Sequence, residues 1–377
     1  MEEVYAKSLE LHKSLGGKLE VASKVPLSNK NDLSLAYTPG VAQVCREIAS
    51  DPKTVYDYTL KKNTIAVISD GSAILGLGNL GAKASIPVME GKAILFKQFA
   101  GVDAFPICLD TQDTEEIIKA VKQIAPVFGA INLEDISAPR CFEIERRLQA
   151  ELDIPVMHDD QHGTAVVVLA GLINALKVRG SEKSEVKVVF SGAGAAGTAI
   201  AELLIRYGFK NIVVLDSRGV IWRGREDLND EKKILASKTN PSNERGDLAS
   251  VIKGADIFIG VSKAGLLTAE MVQSMANRPI IFALANPVPE IMPDVAKSAG
   301  AFIVATGRSD FPNQVNNVLG FPGLFKGALR NKIKQFTDEM FVRAAENLAK
   351  TVTPTVDKIL PTPFDEGVAE KVAAAMR

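Results

Sequence analysis

Val186-Lys-Val-Val-Phe190 is a short run rich in β-branched residues, and it feeds directly into Ser191-Gly-Ala-Gly-Ala-Ala-Gly197. A strand that ends in GxGxxG and opens a helix admits few folds. Each small residue has a task. Gly192 permits the tight turn, Gly194 lets the backbone approach a pyrophosphate, and Gly197 lets helix and strand pack closely. Ala195 and Ala196 begin the helix, whose N-terminus faces negative charge. The next strand, Asn211-Ile-Val-Val-Leu-Asp216, ends in an acid 19 residues after Gly197. Asp216 can hold both ribose hydroxyls, which favours NAD. Arg218, two residues on, could instead meet a 2′-phosphate, so NADP stays open.

A second match, Gly76-Leu-Gly-Asn-Leu-Gly81, lacks this setting. Its strand ends at Ser69, several residues upstream, and Pro87 and Gly91 interrupt the segment after it. The next strand-end acid, Asp110, is 29 residues past Gly81. This segment is expected to be a flexible loop lining a cleft.

Around these motifs the chain alternates. Strand patterns at 64–69, 103–109, 129–133 and 154–157 are separated by helical ones at about 84–100, 113–125 and 139–152. Further strands are expected at 255–260, 279–284 and 301–305. The alternation predicts an α/β fold with mainly parallel sheets. Residues 2–15 and 41–49 read as helices, 18–39 as irregular and 229–246 as an exposed loop. From Pro322 onward the pattern is helical, with breaks at Pro354, Pro361 and Pro363. A length of 377 residues implies two domains. The expected division is an N-terminal α/β substrate and metal domain over 1–160, to which helices of 318–377 return, and a Rossmann dinucleotide-binding domain over 161–317.

The chemistry is expected elsewhere, in Ile154-Pro-Val-Met-His-Asp-Asp-Gln-His-Gly-Thr164. An apolar strand here ends in the adjacent acids Asp159 and Asp160. The run Gly129-Ala-Ile-Asn-Leu133 likewise ends in Glu134-Asp135. Carboxyl ends of strands are where α/β proteins bind ligands. Clustered carboxylates repel unless they are protonated or share a cation. The plain alternative, four solvated loop acids, stays open on these residues alone. His158 and His162 flank the acids and could take Zn²⁺, but three carboxylates without a cysteine suit a harder ion.

Composition narrows the setting. A net charge of −1 argues against a nucleic-acid partner. Cys45, Cys108 and Cys141 are far apart, with no CxxC, which predicts reduced, structural thiols. The acidic start Met1-Glu-Glu is unlike a signal peptide, and no apolar stretch reaches the ~20 residues of a membrane helix. The expectation is a cytoplasmic protein without a membrane partner.

Seven ordered motifs then converge. Ala36-Tyr-Thr-Pro-Gly-Val41, Ser69-Asp-Gly-Ser-Ala-Ile-Leu-Gly-Leu-Gly-Asn-Leu-Gly81, Pro87-Val-Met-Glu-Gly-Lys92, Asn132-Leu-Glu-Asp135, His158-Asp-Asp-Gln-His-Gly-Thr164, Ala283-Leu-Ala-Asn-Pro287 and Asn313-Gln-Val-Asn-Asn-Val-Leu-Gly-Phe-Pro-Gly323 resemble the malic enzyme family, short bacterial or archaeal type. That resemblance implies oxidative decarboxylation of malate to pyruvate and carbon dioxide with NAD or NADP and Mg²⁺ or Mn²⁺. It implies Lys92 as base, Tyr37 as acid and Glu134, Asp135 and Asp160 as metal ligands. It further implies Asp159 supporting the lysine, Asn286 at the substrate or nicotinamide, Asn317 at the substrate, and a homodimer. The chain departs from longer members at Ala73, where they carry an arginine that grips a substrate carboxylate. Two rival readings are a metal-independent Rossmann dehydrogenase of another hydroxy acid and a nucleotide-sensing module without turnover.

Overall fold

The structure is a computed structural model that describes residues 2–74 and 76–377, the side chain of Glu2 excepted. Ten strands form two sheets: β1 Thr64–Ser69, β2 Asp103–Cys108, β3 Ala130–Leu133, β4 Val156–His158, β5 Lys187–Ser191, β6 Asn211–Asp216, β7 Gly219–Val220, β8 Ile257–Gly260, β9 Ile280–Ala283 and β10 Ile303–Thr306. The helices are α1 Glu2–Leu15, α2 Lys30–Ala36, α3 Val41–Ser50, α4 Val55–Tyr58, α5 Ala82–Ala100, α6 Thr114–Ile124, α7 Arg140–Glu151, α8 Asp159–Arg179, α9 Ala195–Tyr207, α10 Asp230–Lys238, α11 Leu248–Val251, α12 Ala269–Gln273, α13 Pro293–Ser298, α14 Phe321–Asn331, α15 Asp338–Ala349 and α16 Val368–Ala373.

The first sheet has order β2-β1-β3-β4 and the second β10-β9-β8-β5-β6-β7. Every pairing is parallel except β6 with β7. Each sheet therefore has one carboxyl edge, and the acids and glycines singled out above sit there. The central strands β1, β3, β8 and β9 are buried along their whole length, as expected of parallel strands covered on both faces.

Two expectations need correction. The stretch 18–39 is not wholly irregular, because Asn29 caps α2 by accepting from the Asp32 amide. The stretch 229–246 is not simply a loop, because Asn229 caps α10 in the same way through the Lys232 amide. At 158–164 strand and helix adjoin with no loop between them. His158 is the last residue of β4, and α8 begins at once with Asp159. The expected domain limit at 160 therefore falls in the first turn of a helix.

α8 is 21 residues long and apolar enough to pass for a membrane span, yet most of it is buried in the protein. It runs through one apolar core that includes Ile65 and Val67 of β1, Phe96 of α5, and Val188 and Phe190 of β5. It packs along α9 on one side and α15 on another. α14 and α16 return to α5, where Phe96 meets Phe321 and Phe325 edge-on at 4.6 and 5.4 Å. All three cysteines are free, but only Cys141 is buried; Cys45 is exposed on α3 and does not fit the expected packed thiol.

Candidate active site

The carboxyl edge of the first sheet gathers one cationic and four acidic groups. Lys92 lies in the middle of α5, and its apolar neighbours Met89, Ala93 and Phe96 turn that face inward. The residue is only 7% exposed, and its ammonium points among acids. It lies 2.7 Å from Asp159 Oδ2 and 2.9 Å from Glu134 Oε1. The Phe321 ring covers it, 4.2 Å from Nζ to centroid. A buried lysine alone would lose its proton readily. Here burial pushes the ammonium down, but the charges of Asp159 and Glu134 outweigh that and hold it above the ordinary lysine range. Burial drives the Glu134 carboxyl well up, against the pull of Lys92.

Backbone geometry aims the acids. Glu134 follows β3 directly, and its amide donates to Ile68 O of β1 at 2.8 Å. Its Oε2 accepts from Asn132 Nδ2 at 2.9 Å. Asp135 has φ of 54°, a left-handed turn that an aspartate tolerates better than most residues. Its amide donates to Asp160 Oδ2 at 2.9 Å, joining the ends of β3 and β4. Ligand oxygens of Glu134, Asp135 and Asp160 lie within 4.8 Å of one another. Three hard oxygen donors at that spacing fit a divalent cation, and among the described residues no other such group of His, Cys, Asp and Glu occurs.

Asp159 is fully buried and turns the other way, with Oδ2 accepting from both Lys92 Nζ and Asn317 Nδ2, the latter at 2.6 Å. Asn317 thus reaches the lysine through Asp159. A Cβ on Gly163, one turn along α8, would overlap Asp159 Oδ1, so the glycine makes room for the carboxylate.

At the carboxyl edge of the second sheet, a cavity of about 660 Å³ is lined by Gly192, Gly194, Asp216 and Lys232, and also by Pro139 and Phe142 from the first half. It fits a dinucleotide. No side chain caps the start of α9, so the amides of its first turn, at Ala195, Ala196 and Gly197, can receive a phosphate. A Cβ on Gly197 would overlap Gly192 O, and Gly194 has open space before it.

Asp216 is less free than its position suggests. Oδ1 accepts from the Arg218 amide at 2.9 Å and lies 2.9 Å from Arg225. Oδ2 accepts from Arg225 at 3.0 Å and Lys232 at 2.6 Å. Neither Arg225 nor Lys232 was legible as its partner from spacing alone. Asn286 lies on the exposed loop after β9, against Gly307 and Gly76.

Ala73 has no charged side chain to offer, and its amide donates to Asp135 O. Beside it, Arg140 donates to Ser72 and Ser137 and lies 2.9 Å from Asp70, locking the loops after β1 and β3 together. Tyr37 stands outside the group. It follows α2, is 66% exposed, and makes no side-chain hydrogen bond among the described residues.

Comparison with known proteins shows the family. The family models described as malic enzyme, N-terminal domain and malic enzyme, NAD binding domain match residues 16–149 and 161–375. A bifunctional malic/malolactic enzyme from Bacillus subtilis (strain 168) is 57% identical over 98% of this chain and 91% of its own length. An NAD-dependent malic enzyme from Geobacillus stearothermophilus is 56% identical over 96% of this chain and 76% of its own. The crystal structure of an NAD-dependent malic enzyme from Thermotoga maritima superposes with a TM-score of 0.95 at 51% identity, covering 98% of each chain. The paired sheets, the lysine held among acids and both matched family models lead to one conclusion: the chain belongs to the malic enzyme family.

Proposed function

We propose that this chain oxidises malate and releases carbon dioxide to leave pyruvate, using NAD or NADP and a divalent cation, Mg²⁺ or Mn²⁺. One observation carries the reading: a buried lysine shared by two carboxylates, beside a three-acid cluster, near a cavity shaped for a dinucleotide. Lys92 takes the hydroxyl proton of malate as hydride departs from the same carbon. Asp159 and Asn317 fix the lysine's direction. Glu134, Asp135 and Asp160 hold the cation. When bound, the dinucleotide accepts the hydride and the cation stabilises negative charge on the substrate oxygen. With a cation neutralising Glu134, one of the two charges that hold Lys92 protonated is offset, which suits a base. Purified protein should form NADH or NADPH from malate only with Mg²⁺ or Mn²⁺ present. Turnover that survives EDTA would favour a metal-independent dehydrogenase, and dinucleotide binding with no turnover a sensing module.

Tyr37 is proposed as the acid that protonates the enol carbon after decarboxylation, reaching the site from a second copy of the chain. What supports this is the arm that bears it. α2, α3 and α4 have no buried residue. Val4, Leu9, Val21, Leu33, Leu35 and Tyr37 all stand exposed on or near it. So much apolar surface on one segment suits an interface between subunits. Mixing Lys92→Ala and Tyr37→Phe chains should then restore activity to about a quarter of the sites, since half the dimers carry one intact centre. A mixture as inactive as its parents rejects a shared site.

Asp216 is proposed to set cofactor preference. Asp216→Ser removes an acceptor for ribose hydroxyls and frees Arg225 and Lys232 for a 2′-phosphate, so NAD should weaken more than NADP. An unchanged ratio of kcat/KM for the two cofactors excludes that role.

A further inference from the structure

β9 ends at Ala283, and the chain then loops out through Asn286, Pro287 and Val288, all exposed, before it buries again at Pro289 and Glu290. A carboxylate at the buried foot of such a loop is costly unless its oxygens are met. Glu290 is wholly buried, and both oxygens are met by main-chain amides. Oε2 accepts the Ala285 amide at 3.0 Å, which closes the loop that carries Asn286. Oε1 accepts the Ser262 amide at 2.9 Å, in the neighbouring loop after β8. A Cβ on Gly260, the last residue of β8, would overlap the Glu290 carboxyl carbon, so the strand end makes room for this group.

The two loops face different parts of the reaction. Ser262, Lys263 and Leu266 line the cavity that fits a dinucleotide. Ser262 Oγ also lies 2.9 Å from Ser191 Oγ, where β5 enters the glycine turn. The other loop sets Asn286 against Gly76 and Gly307, from the loops after β1 and β10. Main-chain bonds reinforce the join: the Leu267 amide donates to Glu290 O at 3.1 Å and the Gly265 amide to Pro289 O at 3.2 Å. One carboxylate thus ties the wall of the cofactor cavity to the residue expected at the substrate or nicotinamide.

We infer that Glu290 is a positioning residue for hydride transfer: by accepting the Ser262 and Ala285 amides at once, it holds the Asn286 loop in place against the dinucleotide cavity. The inference rests on the reading of the chain as a malate-oxidising enzyme with Asn286 at the substrate or nicotinamide. Two donors from separate loops need two acceptors. A carboxylate has both, whereas a carboxamide has one, and its amino group would face the second N–H.

Glu290→Gln tests this with almost no change of shape. Whichever way the carboxamide turns, one of the two amides loses its partner. In the cofactor-free full-length protein, hydrogen exchange read by mass spectrometry should quicken about 10-fold in 261–267 or in 284–288, the effect of losing roughly one hydrogen bond. At saturating cofactor, kcat for malate should fall about 10–100-fold, as small misplacements of reacting groups do. Decarboxylation of added oxaloacetate moves no hydride, so per mole of protein it should stay at the wild-type rate. A merely structural role would lower both activities together. Unchanged exchange in both segments overturns the proposal, and so does an equal fall in the two activities. Should Glu290→Gln not fold, Glu290→Asp keeps a carboxylate but is one methylene too short to reach both loops, and the same readings apply. Wild type measured alongside separates the two ideas. If it forms NADH or NADPH from malate and Glu290→Gln does so equally well, only the positioning role falls. If the wild type forms neither, the malate reading fails and the proposal with it.

Discussion

Lys92→Ala should lower malate oxidation by about 10²–10⁴-fold, the usual contribution of a positioned general base. The size of the effect reflects how few bases the site holds. Asp159 and Glu134 are the acids nearest the lysine, and each is already engaged: one by Lys92 and Asn317, the other by Lys92 and Asn132. The loss should fall on the oxidation step. The proposed cation ligands for decarboxylation of added oxaloacetate, Glu134, Asp135 and Asp160, remain, so the variant should keep more of that activity than of malate oxidation. A small primary amine can enter the gap left under the Phe321 ring and restore part of the rate. Steady-state kinetics with malate and oxaloacetate decide the matter. A variant that oxidises malate at the wild-type rate removes Lys92 from the mechanism.

Gly163→Ala should be the most damaging change of a single methyl group in this site. On the exposed face of a helix, alanine in place of glycine stabilises by roughly 1 kcal/mol. At position 163 the new Cβ overlaps Asp159 Oδ1. The carboxylate is fully buried, and Lys92 and Asn317 hold its other oxygen. It has to rotate away from those partners or push α8 off the sheet. Overpacking of this sort costs typically about 1–3 kcal/mol, which more than cancels the gain in helix propensity. Stability and activity should fall together, with the melting temperature reporting one and malate turnover the other. Cofactor binding at Gly192–Gly197 should persist, because those glycines lie on α9 and its leading turn, away from the clash. A stable, fully active Gly163→Ala would mean that Asp159 does not need its present rotamer.

How far the sequence went depends on the range of the physics involved. The parallel sheets were legible because buried parallel strands leave continuous apolar runs, as at 64–69 and 211–216. The glycine turn was legible because each glycine answers a local steric demand. Caps were less visible: Asn29 and Asn229 start helices in stretches whose polarity suggested loops. The acid cluster could be suspected from adjacent strand ends. That Asp159 meets Lys92 and Asn317 while Asp160 meets the Asp135 amide could not, because it depends on where α8 starts. The partners of Asp216 lie nine and sixteen residues away, fixed by how α10 and the preceding loop fold back. Glu145 left a signal, a lone carboxylate at an inward position of α7, but its partners His158, Gln161 and His162 come from the end of β4 and the start of α8 and show only in the fold.

The pairing of α8 with α9 also bears on how this scaffold could be adapted. The first turn of α8 carries Asp159 and Asp160, and the first turn of α9, uncapped by any side chain, is the one proposed to receive a phosphate. The reach from acid cluster to dinucleotide is therefore surveyed by two packed helices and owes little to the loops that border the substrate. A designer seeking activity on a bulkier hydroxy acid could change the side chain at Ala73, where it is the amide that holds the loop, while inheriting that spacing.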